Sequence, residues 1–169
     1  YLRSVDSDER IVLPDEHLAE VTGVAFSPDG RFLVSASKDR TAIVWNLETR
    51  QVVQQLAGHA DRVHNAAFSA DGTQVATASW DKTARLWDLS APGSYRSFSG
   101  AADRVIDVAF NPVRGEFATA AYDGAIRFYL LDLEELKQLA RDKVVRPLTD
   151  AECELVPDGR GCAGADASQ

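Results

Sequence analysis

The chain has 169 residues, with 26 acidic side chains against 18 basic ones and a formal net charge of -8. That balance argues against a nucleic-acid or anionic-membrane surface, which needs clustered Lys and Arg, and no apolar run approaches the length of a membrane span. The two cysteines, Cys153 and Cys162, both stand in the tail; with no disulfide framework ahead of them a reducing cytoplasm is expected, and a local Cys153–Cys162 disulfide stays open.

Residues 1–16 are acidic and mixed. The sequence has no methionine, so Tyr1 is not a translation start, and the chain is expected to be a processed product or a fragment of something longer. Beyond this stretch a unit of 42 residues repeats: Val21, Val63 and Val105 keep that step, as do Phe26, Phe68 and Phe110, Asp39, Asp81 and Asp123, and Trp45, Trp87 and Tyr129. A fixed period in the low forties indicates a repeat architecture.

In the first unit, Val21, Val24 and Phe26 predict a strand that ends in Ser27-Pro28-Asp29-Gly30, a tight turn with proline fixing φ and glycine free to take positive φ. Phe32 to Ser37 predict a second strand, Lys38-Asp39-Arg40 a turn, and Thr41 to Trp45 a third strand rich in β-branched residues. Gln51 to Leu56 give a fourth. The second unit is the most complete: Ala70-Asp71-Gly72 turns the chain, Gln74 to Ser79 and Thr83 to Trp87 are strands, and Ala91-Pro92-Gly93 widens the loop before Tyr95 to Phe98. The third has decayed. Ala101, Ala121 and Tyr129 stand where its predecessors carry histidine, serine and tryptophan, and the turn from Asn111 to Gly115 has its glycine one place late.

No fourth strand is predicted after Tyr129. Asp132 caps a helix there, with Glu135 three residues on and Leu133, Leu136, Leu139 and Ala140 along one face. Thr149-Asp-Ala-Glu152 opens a second short helix, so residues 131–156 read as a helical extension and 157–169 as a loose tail. At the other end, one period before the first unit, Ile11 to Leu13 fall on the Val53 to Gln55 strand. Tyr1 to Val5 fall where a third strand ends, with Arg3 at the Trp45 position. Residues 1–16 are therefore read as the remnant of a preceding unit and its outer strand.

Within these units stand a Gly58-His59 pair, an apolar strand ending in Ser27-Pro28-Asp29-Gly30, the Thr77-Ala78-Ser79 strand, the Asp81 turn and Trp87-Asp88. In this combination the chain resembles a WD40-repeat protein from about residue 11 to residue 130. The resemblance implies an all-β fold: a WD40 β-propeller segment of three four-stranded antiparallel blades, with repeats at about 17–58, 59–100 and 101–130. Such a segment is not closed alone, because propellers usually close with four to eight blades. It also implies that the Gln51 to Leu56 strand belongs to the next blade. The segment Asp132-Leu-x-Glu-Leu followed by Arg146-Pro-Leu-Thr-Asp-x-Glu-Cys153 resembles the C-terminal end of large bacterial multidomain WD40 signalling proteins. In those proteins the propeller follows a signalling ATPase, a kinase, a caspase-like protease or a TIR domain.

In WD40 blades a histidine, a serine or threonine, an aspartate and a tryptophan form a buried hydrogen-bonded set. The resemblance maps this set onto His17, Ser37, Asp39 and Trp45, and onto His59, Ser79, Asp81 and Trp87, with Thr77 able to stand in for Ser79. A buried carboxylate, imidazole and indole each need partners, and a trio recurring at the repeat period reads as structure rather than as a nucleophile. No catalytic residue is expected. There is no phosphate-binding G-x-x-x-x-G-K-[ST] loop and no H-E-x-x-H, and the His and Cys spacings do not suit zinc. The Asp-Gly turns lack the further carboxylates of a calcium loop, so neither metal nor cofactor is expected.

The resemblance also points to an upper face, where partners bind through strand-entry positions and the residue before the turn aspartate. Here those are Glu20, Thr22 and Lys38, then Arg62, His64 and Trp80, then Arg104, Ile106 and Tyr122. Exposed Trp80 and Tyr122 beside arginines match the composition of binding hot spots. The partner-binding set is taken as Lys38, Arg62, His64, Trp80, Arg104 and Tyr122, centred on Trp80. The expected function is a protein-interaction or sensor module that binds a protein partner or trigger on this face and regulates an effector. The propeller itself would be completed by another polypeptide or by a missing N-terminal part. Two alternatives stay open: a regulatory C-terminal fragment of a larger enzyme, or a purely structural segment that assembles with other chains.

Overall fold

The computed structural model describes residues 2–3, 10–11, 13–14 and 16–131. The helical extension expected beyond Leu131, the tail and both cysteines lie outside the described residues. Within them the chain is a series of short antiparallel strands and contains no helix.

Leu2–Arg3 (β1) and Arg10–Ile11 (β2) form a pair of their own, with Arg3 opposite Arg10. Three sheets follow. The first holds Val21–Phe26 (β3), Phe32–Ser37 (β4), Thr41–Asn46 (β5) and Gln51–Ala57 (β6) in that order. The second repeats it with Val63–Phe68 (β7), Gln74–Ser79 (β8), Ala84–Asp88 (β9) and Tyr95–Phe98 (β10). The third has Val105–Phe110 (β11), Glu116–Ala121 (β12) and Ile126–Leu130 (β13), three strands among the described residues.

The strand expected in the next blade is placed differently. β6 pairs along its length with β5, so Gln51 to Leu56 form the outer strand of the first sheet. Each of the first two blades is therefore closed by the fourth strand of its own sequence unit, β6 within residues 17–58 and β10 within residues 59–100. Arg3 opposite Arg10 is the same pairing as Trp45 opposite Val52, one period earlier.

Because side chains alternate across a strand, each sheet offers two faces. Val34, Ala36, Ala42, Val44 and Leu56 of the first sheet are buried against Val63, Ala66, Phe68, Val75 and Trp87 of the second. The opposite face of the second sheet, with Ala76, Ala78, Ala84 and Leu86, is buried against Val105, Val108, Phe117 and Ala121 of the third. The sheets thus stack in sequence, each burying a face that cannot be buried alone.

A bulge at Thr22, His64 and Ile106 interrupts the pairing of each innermost strand, and the side chains of Thr22 and His64 reach the next sheet. The Thr22 hydroxyl donates to the Val63 carbonyl at 2.6 Å, and His64 Nδ1–H donates to the Ile106 carbonyl at 2.8 Å. Gly23 permits the approach: a Cβ there would lie 2.9 Å from Asn65 Oδ1 and 3.1 Å from the His64 carbonyl oxygen.

The two outer flanks of the stack carry the same kind of residue without a cover. Phe26 is 55% exposed, whereas Phe68, one period on, is 7% exposed. Phe128 is 70% exposed, whereas Leu86 at the equivalent position is 2% exposed.

Candidate functional site

The Lys38-Asp39-Arg40 turn joins β4 to β5, and Asp39 is held from several sides. Its carboxylate accepts from His17 Nδ1–H at 2.8 Å, from the Leu18 and Thr41 backbone N–H groups at 2.9 Å and from the Thr41 hydroxyl at 2.6 Å. The other imidazole nitrogen meets Ser35 Oγ at 2.7 Å, and Trp45 Nε1–H donates to the same hydroxyl at 2.8 Å. An indole only donates and a carboxylate only accepts. The two ends of the set are therefore fixed: Trp45 donates to Ser35, and His17 donates to Asp39.

The second blade repeats the chain. Trp87 donates to Thr77 Oγ1 at 2.9 Å, Thr77 meets His59 Nε2 at 2.8 Å, and His59 Nδ1–H reaches Asp81 at 2.7 Å. Burial pushes the Asp81 carboxyl up, but the hydrogen bonds from His59 and Thr83, the His59 charge and the Ala60 amide together hold it below the usual carboxylate range. Asp39 is lowered by the same balance, with Thr41 and His17 outweighing burial.

This corrects the serine of the set. Ser35 occupies the place that the sequence assigned to Ser37, and Thr77, the stated alternative, takes the place assigned to Ser79. Both members of each pair lie on one face of the strand, but Ser35 and Thr77 stand at mid-strand, beneath the imidazole and within reach of the indole. Ser37 is the last residue of β4; its hydroxyl accepts the Asp39 N–H at 3.1 Å and donates to the Ala19 carbonyl at 3.2 Å. Ser79 binds the Asp81 N–H and the Asp61 and Arg62 carbonyls in the same way. These serines close turns.

The third blade lacks the histidine, and Arg127 takes over its aspartate. Two guanidinium nitrogens donate to Asp123 at 2.6 and 3.2 Å, joined by the Ala102 and Ala125 N–H groups. The Arg127 bonds, then those amides, hold Asp123 well below the usual range. Sequence reasoning missed Arg127; the signal was its place four residues after the repeated aspartate in the unit whose histidine is alanine.

The upper ends of the strands carry a second periodic feature. In every blade the residue before the turn aspartate donates its N–H to the loop leading into the innermost strand. Lys38 binds the Glu20 carbonyl at 2.9 Å, Trp80 the Arg62 carbonyl at 3.0 Å and Tyr122 the Arg104 carbonyl at 3.0 Å. One backbone bond thus sets three side-chain pairs side by side. The first is an ion pair, Lys38 with Glu20.

The second and third pairs merge around Trp80. The Arg62 guanidinium lies 4.1 Å from the ring centre and that of Arg104 lies 4.2 Å from it. His64 is stacked at 6.3 Å, and Tyr122 meets the ring edge-on at 6.3 Å. Trp80 is half-buried rather than exposed, because these four side chains enclose it. Its Nε1–H is shut off from water and has no hydrogen-bond partner among the described residues. Tyr122 is exposed. Of the six predicted partner-binding residues, the structure brings Arg62, His64, Trp80, Arg104 and Tyr122 together. Lys38 is held by Glu20, and His64 also bridges two blades. Among the described residues no group of three or more His, Cys, Asp and Glu is placed to hold a metal ion.

A family profile described as "WD domain, G-beta repeat" matches residues 9–46, 50–88 and 93–129. The chain belongs to the WD40 family. Its fold is shared by the solved WD40 repeats of RRP9, with a TM-score of 0.67 and 24% identity, covering 72% of this chain and 38% of that one. It is equally similar to the solved U3-55K, with a TM-score of 0.68, 24% identity and the same coverages. The general transcriptional corepressor TUP1 of Saccharomyces cerevisiae is 39% identical over 44 residues, which are 26% of this chain and 6% of that protein. The chain thus spans well under half the length of these relatives. WD40 propellers generally serve as protein-interaction modules, and this chain is a segment of one.

Proposed function

We propose that this chain is the interaction and sensing part of a WD40 propeller, binding a protein partner or trigger at its upper face and so regulating an attached or associated effector. The observation that supports this is the convergence of Arg62, His64, Trp80, Arg104 and Tyr122 from two blades. Aromatic and arginine side chains are enriched in the energetic centre of protein interfaces. The proposal carries no catalytic role: His59, Thr77 and Asp81 are spent on one another and recur one period away as His17, Ser35 and Asp39. A scaffold role in a bacterial cytoplasmic signalling protein, downstream of an ATPase, kinase or caspase-like domain, fits the C-terminal sequence resemblance.

A photoreactive phenylalanine analogue in place of Tyr122 tests the reading, with the same analogue at exposed Val113, on a turn at the opposite strand ends, as the control. The reading expects one partner cross-linked from position 122 and none from 113. Equal cross-linking from both, or cross-linking from 113 alone, overturns it.

The uncovered flanks support a second proposal, that further blades from another polypeptide or from the same parent protein pack on Val24 and Phe26 and on Ile126 and Phe128. The equivalent Ala66, Phe68, Ala84 and Leu86 are all buried by a neighbouring blade, and apolar surface of this kind gains about 25 cal/mol per Å2 when covered.

A further inference from the structure

We propose that Arg62 and Arg104, laid on the ring of Trp80, form a receptor for a carboxylate side chain, so that the partner presents an acidic segment to the upper face. The inference rests on the reading above and names the chemistry of its partner.

Two guanidinium groups within 4.2 Å of one ring centre share its negative quadrupole. The ring does not neutralise their charge, and each repels the other. Asp61 lies 3.9 Å from Arg62 Nε, at the edge of ion-pair range, and among the described residues no acidic side chain pairs with Arg104. Both groups therefore keep donors for an outside acceptor. The first blade makes the contrast: at the equivalent positions Glu20 supplies a carboxylate to Lys38 from within the chain. In the second blade the loop position of Glu20 is itself an arginine, so that position supplies no acid.

The Trp80 Nε1–H is a second, independent sign. Its counterparts in the hydrogen-bonded sets, Trp45 and Trp87, both donate to hydroxyls, whereas this one is buried without a partner among the described residues. A buried donor left unmade is costly. Arginine's planar fork suits a carboxylate in two-bond geometry.

A singly charged carboxylate fits better than a doubly charged phosphate. Asp61 and Asp103 lie in the same loops as Arg62 and Arg104, on a chain of net charge -8, and their repulsion grows with the charge of the ligand.

The test uses nuclear magnetic resonance of the full chain labelled with nitrogen-15. Three tryptophans give three indole N–H signals, and Trp80→Phe assigns one. Hexaglutamate is expected to shift the Trp80 signal while those of Trp45 and Trp87 stay still. Binding weakens with salt. Arg62→Gln and Arg104→Gln each lower affinity about tenfold, equivalent to about 1.4 kcal/mol. Arg104→Lys, which keeps the charge and loses the fork, lies between.

An equal response to hexaglutamine, or titrations unchanged in the two glutamine variants at retained folding, overturns the inference. So does tighter binding of a phosphoserine peptide or of a deoxythymidine oligonucleotide. Cross-linking of a partner from position 122 with no response to hexaglutamate sinks the carboxylate receptor and leaves the interaction reading standing.

Discussion

Arg127 reaches back four residues to grip Asp123 with two nitrogens, doing in the third blade what His17 and His59 do for Asp39 and Asp81. The aspartate is the fixed point of each blade, and its anchor has changed from imidazole to guanidinium. The third blade is therefore held by a device of its own. Arg127→Gln is expected to speed amide exchange across residues 119–126 while leaving the first two blades protected. A uniform change across all three blades speaks against a local lock.

The histidine networks are expected to act through stability. His59→Ala and Trp87→Phe each leave a buried partner unsatisfied, at a cost of about 1–3 kcal/mol. Thr77→Val is expected to cost at least as much, since the hydroxyl serves both the indole and the imidazole. Thermal unfolding of the three variants checks this. Full stability in Thr77→Val, with loss only in Ser79→Ala, would return the network role to Ser79.

Most of this was legible because a repeat repeats its errors and its rules alike. Val21, Phe26, Asp39 and Trp45 recur at a constant step, so strand order, turns and the stacking faces follow from one unit. The choice between Ser35 and Ser37 was not legible. Both lie on the same face of β4, and only the depth at which the imidazole sits separates them. Likewise β6 carries no mark of which sheet it joins, because an outer strand is assigned by its hydrogen bonds and not by its side chains. Arg127 was hidden because its partner lies one turn back in its own hairpin, while the alanine that makes it necessary lies in the loop before the blade.

Acid is expected to destabilise the chain. Free aspartates titrate near about 3.9, and Asp39, Asp81 and Asp123 are held lower in the folded state. As pH falls, the unfolded chain takes up protons first. The stabilisation is thus complete above about pH 4 and is lost as pH drops through the folded values. Denaturant midpoints measured from pH 7 downward are expected to hold and then fall. A midpoint that rises below pH 4 contradicts the assignment.

The uncovered flanks are expected to drive association. Phe26→Ser and Phe128→Ser remove the largest exposed rings from the two flanks, and light scattering is expected to show smaller assemblies for the double variant than for the parent chain. An unaltered mass distribution argues that the flanks bind nothing.

Hydrogen exchange of the full chain, with and without the partner captured from position 122, tests the interaction reading most directly. Slower exchange is expected at residues 60–64, 80–82, 102–106 and 122–124, the loops and turns around Trp80. Protection confined to residues 27–31, 69–73 and 111–115, at the opposite ends of the strands, or to the two flanks alone, would contradict it.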